Sequence, residues 1–290
     1  MQTPQFQDAD HMRFRERGYA IVNGLFEPAE IERLRTTALD TVAELGRQGR
    51  GTSSPGGEGV IRGCEGDLLS NPALRAALLD PRVLGTIGGL LGGEPTYFGD
   101  SSVRIGRNGE RGWHRDNVDR RRWRRGPDWH EGPYPLIRCG LYLQDQARHS
   151  GGLALRPGSN GPGLVRPTRP KLVAAQAGDL VVWELRTVHS GEVVRMRGLP
   201  RVPLHPRVQT LLPEGLRVPE GRERIVLFMT FALPGPDLDR YLDYLRSREY
   251  MRDAWSRSRF GSDGWEAAER AGLSVLRPLP AYGTPLDGAA

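Results

Sequence analysis

The chain has 290 residues, 38% of them hydrophobic, which is enough to bury a full core, and one domain spanning 1–290 is expected. No run of about 18 apolar residues occurs, and the N-terminal stretch lacks the charged-then-apolar pattern of a secretory signal, so the sequence points to a cytoplasmic protein with no membrane span. The formal charge of +6 arises from 41 basic and 35 acidic residues interleaved along the whole chain, which argues against a basic tail for nucleic acid.

Helix signals open the chain. In FEPAEIERLRTTALDTVAELGRQ, Pro28 suits a first helical turn, Glu30 suits the positive end of the dipole, and Ile31, Leu34, Ala38, Val42 and Leu45 recur at helical spacing. The following GRGTSSPGGEGVIRG is read as a loop, because glycine, proline and serine dominate it. SNPALRAALLDPRVLGTIGGLLGG then predicts two short helices, started at Pro72 and Pro81 and closed by the glycines from Gly88 onward. The part from about 10 to 92 is therefore expected to be helical.

After Pro95 the period changes. TYFGDSSVRIG, LIRCGLYLQD, GLALRP, KLVAAQAGDLVVWEL and RIVLFMTFALP are short, rich in aliphatic, aromatic and β-branched residues, and bounded by turn residues, so each predicts a strand. Ile137, Cys139, Leu141 and Leu143 alternate with Arg138, Gly140 and Tyr142, which predicts a strand with one buried face. Short strands in this number make a sandwich or barrel. DLDRYLDYLRSREYMRDAW returns to helical spacing through Leu238, Tyr241, Leu242 and Leu245, opening a helical tail over about 236–290. Cys64 and Cys139 are too few for a disulfide framework and are read as reduced, buried thiols.

Chemistry enters at RGWHRDNVDRRRWRRGPDWHEG, residues 111–132. His114 and Asp116 are two apart, so on an extended segment both side chains point to one face and could reach one metal ion. A third ligand is needed. His189 follows the apolar strand GDLVVWELRTV, where a strand leaves the core and presents a side chain at a barrel mouth. Two imidazoles and one carboxylate leave up to three positions open, which suits a non-haem Fe(II) oxygenase.

The segments WHRD, GLYLQDQARHSGGLALRPGSN, AGDLVVWELRTVHSG and RERIVLFMTFA occur in an order that resembles the phytanoyl-CoA dioxygenase family, over roughly residues 10 to 235. The resemblance implies a mainly β fold with flanking helices, built on a double-stranded β-helix (a cupin-like jelly roll) over about 95–235. It implies Fe(II), 2-oxoglutarate and O2 as reactants, with His114, Asp116 and His189 as metal ligands and Arg224 as the anchor of the 2-oxoglutarate carboxylate. Two departures stand out. Asn160 replaces the histidine that ends the family's PGSH motif, which touches no metal ligand. Arg224 lies 35 residues after His189, where the family has about a dozen, so EVVRMRGLPRVPLHPRVQTLLPEGLRVPEG is an insertion. Arg195, Arg197, Arg201 and Arg222 are therefore rival anchors. The insertion is too apolar for a free linker and is expected to pack as a lid or a barrel flank.

Around the metal, Arg115, Asn117, Trp123 and His130 are candidate substrate contacts, and Arg120, Arg121, Arg122, Arg124 and Arg125 could bind an anionic group. A small-molecule substrate is the expected partner, to be hydroxylated, desaturated or oxidatively cyclised. Two alternatives differ in what they require. A nucleic-acid-modifying oxygenase needs a broad positive groove beside the metal, and a non-catalytic metal-binding β-helix protein would have lost a ligand or the anchor. The oligomeric state is left open.

Overall fold

Prolines start most of the helices, because a first-turn residue has no helical acceptor for the N–H that proline lacks. The computed structural model describes residues 8–49, 52–56, 59–65, 67–106, 112–117, 132–161 and 168–285. In chain order these form α1 (Asp8–Arg17), β1 (Tyr19–Val22), α2 (Pro28–Arg47), β2 (Thr52–Gly56), β3 (Gly59–Glu65), α3 (Pro72–Leu78), α4 (Pro81–Leu91), β4 (Thr96–Ile105) and β5 (Leu136–Tyr142). There follow β6 (Gly152–Leu155), β7 (Lys171–Leu172), β8 (Leu180–Glu184), β9 (His189–Val193), α5 (Pro206–Leu211), β10 (Ile225–Ala232), α6 (Pro236–Arg246), α7 (Glu249–Arg257), α8 (Gly261–Arg270) and β11 (Ser274–Val275).

The strands make two sheets, as a jelly roll requires. The larger has the order β1-β8-β5-β10-β4-β3-β2, with β11 pairing β4, and the smaller has the order β7-β6-β9. Among the described strands all neighbours are antiparallel except β11 with β4. One core lies between the large sheet and the helices and holds Ile137, Cys139, Leu141, Leu180, Val182, Leu227 and Phe231 together with Ile31, Ala38, Leu74 and Leu242. A second, smaller core of Tyr142, Leu153, Leu155, Val181, Trp183 and Val226 lies between the sheets. The strand alternation in β5 thus separates two buried faces, and the expectation of a single buried face is corrected: Gly140 and Tyr142 are as enclosed as their neighbours. A solvated face was a poor expectation because helices cover the outside of this sheet and the small sheet covers its inside.

Other local readings also change. The expected loop over 49–63 forms the hairpin β2–β3, which pairs with β4, so the part from 10 to 92 is not wholly helical. Tyr19–Val22, read as part of that helical region, is a strand held by register with β8. KLVAAQAGDLVVWEL is two strands in different sheets, β7 and β8, with the Gly178 turn between them. α4 runs through Gly88 and Gly89 and ends at Gly92, whose φ of 76° gives a left-handed cap that glycine adopts without Cβ strain. The helical tail comprises three helices, α6, α7 and α8, followed by the short β11. α2 buries Ile31, Ala38 and Val42 as the periodicity predicts, and also Arg35, which donates to the carbonyl oxygens of Leu143 and Glu223 on the large sheet.

The insertion after β9 packs as a flank. Val194, Arg195 and Gln209 are buried. Arg195 donates to the carbonyls of Gln146, His149 and Pro200, and the Val194 N–H donates to Gln209 Oε1 at 2.9 Å.

One buried carboxyl, Asp67, lies against β4 of the large sheet. Asp67 accepts from the Leu69 N–H and the Tyr97 hydroxyl, both at 2.8 Å, and burial pushes its pKa up to about 7 against those hydrogen bonds. Its folded pKa is thus above the unfolded value, so its stabilising effect is complete below about pH 4 and fades as pH rises to about 7. The loss is on the order of 4 kcal/mol, from about three pKa units. Asp67→Asn is expected to flatten the pH dependence of stability across that window in urea titrations at pH 5 and pH 8. An unchanged slope in the variant would show that the carboxyl is not the titrating group.

Candidate metal centre

The chain crosses from the large sheet to the small one between β8 and β9. Leu185 N–H bonds to Leu136 O, and a turn closed by Thr187 N–H to Glu184 O then delivers His189 as the first residue of β9. The WHRD segment lies beside it: His114 and His189 exchange both backbone hydrogen bonds at 2.9 Å, an isolated antiparallel bridge at the edge of the small sheet. Asp116 is fixed next by its N–H to Leu185 O at 2.9 Å. Two segments 75 residues apart in sequence are thereby locked into one register.

The side chains converge. One donor atom from each of His114, Asp116 and His189 lies within 4.8 Å of the others, and this is the single such His/Cys/Asp/Glu group among the described residues. His114 Nε2 is 3.7 Å from Asp116 Oδ1, and His189 Nε2 is 3.4 Å from Asp116 Oδ2. Each imidazole is oriented by its other nitrogen. His114 Nδ1 is 3.0 Å from Gly112 O and His189 Nδ1 is 3.0 Å from Thr187 O; a carbonyl only accepts, so Nδ1 carries the proton and Nε2 is left as the donor to a metal. Burial, opposed by Asp116, pushes the His189 pKa down to about 4, which keeps that ring neutral as a ligand must be. Asp116 and His189 are buried, whereas the His114 side chain is 39% exposed and leaves an open side. Two neutral imidazoles and a carboxylate fit Fe(II) with three positions free.

Around the carboxylate stand residues that the sequence reading did not assign to the site. Trp183 Nε1 donates to Asp116 Oδ2 at 3.2 Å. Arg138 Nη1 lies 3.6 Å from the same oxygen. A charged residue inside the apolar run LIRCGLY was a signal for Arg138, but its partners lie on other strands. Beside His114, the Arg156 guanidinium sits over the Trp113 ring, 4.8 Å from its centroid.

Of the other predicted residues, Arg115 and Asn117 alternate to the opposite side from the metal ligands and are buried. Arg115 donates to the carbonyls of Arg186 and Ser159 at 2.7 and 3.0 Å, a structural engagement. Asn160 donates to Arg15 O and Glu184 Oε2, so its amide ties the small sheet to α1 and β8. Trp123, His130 and the arginines from 120 to 125 lie outside the described residues.

Arg224 precedes β10 on the face that carries Val226 and Phe228 between the sheets. It is 3% exposed, donates to Gly151 O at 2.9 Å and Gly106 O at 3.3 Å, and lies 5.9 and 6.0 Å from the Tyr142 and Phe228 ring centroids. Its rivals are engaged elsewhere or exposed. Arg195, buried and bonded to carbonyls as Arg224 is, ties the insertion to the residues after β5, Arg222 pairs with Glu32 on the surface, Arg197 donates to Arg217 O and Arg201 is exposed.

Comparison with known proteins decides the family. A sequence profile described as phytanoyl-CoA dioxygenase (PhyH) matches residues 14–197, more than half of the chain, including all three ligands. The chain belongs to that family. It is a non-haem Fe(II)/2-oxoglutarate-dependent oxygenase of jelly-roll fold, with His114, Asp116 and His189 as its facial triad. No curated protein sequence matches it.

Solved structures agree on the fold. The non-haem α-ketoglutarate-dependent epimerase SnoN from nogalamycin biosynthesis aligns at 17% identity and a TM-score of 0.53, over 76% of this chain and 80% of its own. The carbocyclase SnoK from the same biosynthesis aligns at 18% and 0.52, over 78% and 84%. EctD from S. alaskensis with bound Fe aligns at 15% and 0.53, over 78% and 76%. At these identities the shared property is the fold. Among the described residues no helix is long and apolar enough to cross a membrane.

Proposed function

We propose that this oxygenase oxidises a C–H bond of a small-molecule metabolite, consuming 2-oxoglutarate and O2 and releasing succinate and CO2, with hydroxylation as the default outcome. The observation that carries this reading is the convergence of the three ligands at one end of a barrel whose interior also holds a buried arginine. Fe(II), when bound, couples oxidative decarboxylation of 2-oxoglutarate to hydrogen abstraction from the substrate. The chain's own residues do the rest. The two imidazoles and Asp116 would hold the ion and leave part of its coordination shell for reactants. Arg224 holds the 5-carboxylate, because its planar fork stays charged where water is excluded and matches two carboxylate oxygens. Tyr142, Phe228 and Trp183 wall the space between the sheets and exclude water from it.

Desaturation, ring closure and epimerisation start from the same hydrogen abstraction and differ in the fate of the substrate radical. SnoN and SnoK, named as an epimerase and a carbocyclase, support leaving that fate open to the fold. Retention of the carboxylate at Asp116 speaks against halogenation, for which related enzymes vacate that position.

The test loads the protein with Fe(II) and 2-oxoglutarate without oxygen, then admits oxygen over a metabolite panel and measures succinate together with substrate mass. Stimulation by one compound that gains about 16 mass units identifies a hydroxylase, and loss of about two identifies desaturation or ring closure. Stimulation by oligonucleotides alone would overturn the small-molecule assignment.

A further inference from the structure

β5 carries one charge, Arg138, and directs it into the space between the sheets, where a charge needs partners. Opposite it in register are Thr230 on β10 and Trp183 on β8. Arg138 Nε donates to Thr230 Oγ1 at 2.9 Å, and Nη2 donates to both oxygens of Asp100 on β4 at 2.8 and 3.0 Å. Asp100 also accepts from the Tyr241 hydroxyl of α6 at 3.3 Å. The guanidinium is thus fixed from two strands, and its remaining nitrogen, Nη1, is aimed at Asp116 Oδ2 from 3.6 Å. That oxygen is the one to which Trp183 Nε1 donates.

We propose that Arg138 is a positioning residue for the metal centre: with Trp183 it holds Asp116 Oδ2 off the ion, so that Oδ1 alone ligates. The inference rests on the assignment of the triad to iron. Its reason is a count of coordination positions. A facial triad leaves three positions only while its carboxylate uses one oxygen, and the reaction fills all three with 2-oxoglutarate and O2. A carboxylate free to swing into bidentate binding would take one of them. The Trp183 hydrogen bond and the Arg138 charge 3.6 Å away act on the same oxygen, drawing on its electron density and fixing its direction, which biases the carboxylate against that swing. Pairing with Asp100 offsets the arginine's charge, so Arg138 can stand near a cation without repelling it strongly. The ion pair with Asp100 by itself would not require the third nitrogen to face the metal ligand.

Removing Arg138 alone would strand Asp100 as a buried charge and could unfold the protein. The test therefore uses Arg138→Gln combined with Asp100→Asn, which removes the pair together, and Arg138→Lys, which keeps the charge beside Asp100. Circular dichroism and thermal melting check that each variant is folded. The full-length proteins are loaded anaerobically with Co(II), whose visible d–d bands report coordination number, and then titrated with 2-oxoglutarate. The double variant is expected to show shifted Co(II) bands, about 10- to 100-fold weaker Co(II) binding, the usual range for outer partners of a metal site, and weaker 2-oxoglutarate binding. Arg138→Lys is expected to fall between it and the wild type. A folded double variant with wild-type bands and wild-type 2-oxoglutarate affinity would reduce Arg138 to a structural ion pair and overturn the proposal. Wild-type protein that fails to bind Co(II) would instead sink the metal assignment together with everything resting on it.

Discussion

Asp116→Ala is expected to bring substrate-dependent succinate formation to background and to weaken Fe(II) and Co(II) binding, while most of the fold survives. The carboxylate is the only anionic ligand of the triad, so its loss leaves a dication held by two neutral imidazoles. No described residue can take its place within the cluster. The structural cost is smaller, because Asp116 lies where the WHRD segment meets the corner between the sheets and its backbone N–H to Leu185 O survives the substitution. Trp183 Nε1 loses its acceptor, which costs about 1–3 kcal/mol for a buried donor left unsatisfied. The measurements are metal titration under anaerobic conditions, succinate assay and a thermal melt of the metal-free proteins. Substrate-dependent turnover at the wild-type rate in this variant would remove Asp116 from the triad.

Arg224→Ala is expected to weaken 2-oxoglutarate binding by roughly 2–5 kcal/mol, the range for truncating one side of a buried charge pair, with metal binding nearly unchanged. Among the described residues the hydrogen bonds of Arg224 go to two carbonyls, so a bound dicarboxylate would supply the anion that a buried guanidinium lacks. Arg224→Lys should rescue only in part, since an ammonium offers a point charge in place of the fork. The check is an anaerobic titration of 2-oxoglutarate into Fe(II)-loaded protein, following the metal-to-ligand charge-transfer band. Undiminished affinity in Arg224→Ala, combined with a loss in Arg195→Ala or Arg222→Ala, would transfer the anchor to one of those residues. Arg222 is the weaker rival, because its surface pairing with Glu32 leaves it outside the barrel.

Much of the metal centre was legible before any folding. An H-x-D pair on an extended segment needs only local geometry and appears as read, whereas His189, expected where the apolar strand leaves the core, instead opens β9 in the other sheet after a turn that follows β8. The neighbours of the carboxylate were not legible. Trp183, Arg138 and Asp100 are 67, 22 and 16 residues from Asp116, and nothing local in their segments indicates that they meet. The glycine-rich 52–65 hairpin was hidden for another reason: its composition favours a loop, and pairing with β4 overrides that preference.

By itself the sequence determined where α2, α3, α4, β4, β5, β6 and β10 lie, because proline starts and hydrophobic period are local properties. It also offered His114, Asp116 and His189 as candidate donors, because residue type fixes which atoms can ligate. Only the tertiary structure decided which sheet each strand joins and that both faces of β5 are buried. It alone brought three donor atoms within 4.8 Å and set Arg138 and Trp183 on one oxygen of Asp116. Those outcomes depend on strand register between segments far apart in sequence, and a shift of one residue in β5 would turn Arg138 away from the metal and Cys139 toward it.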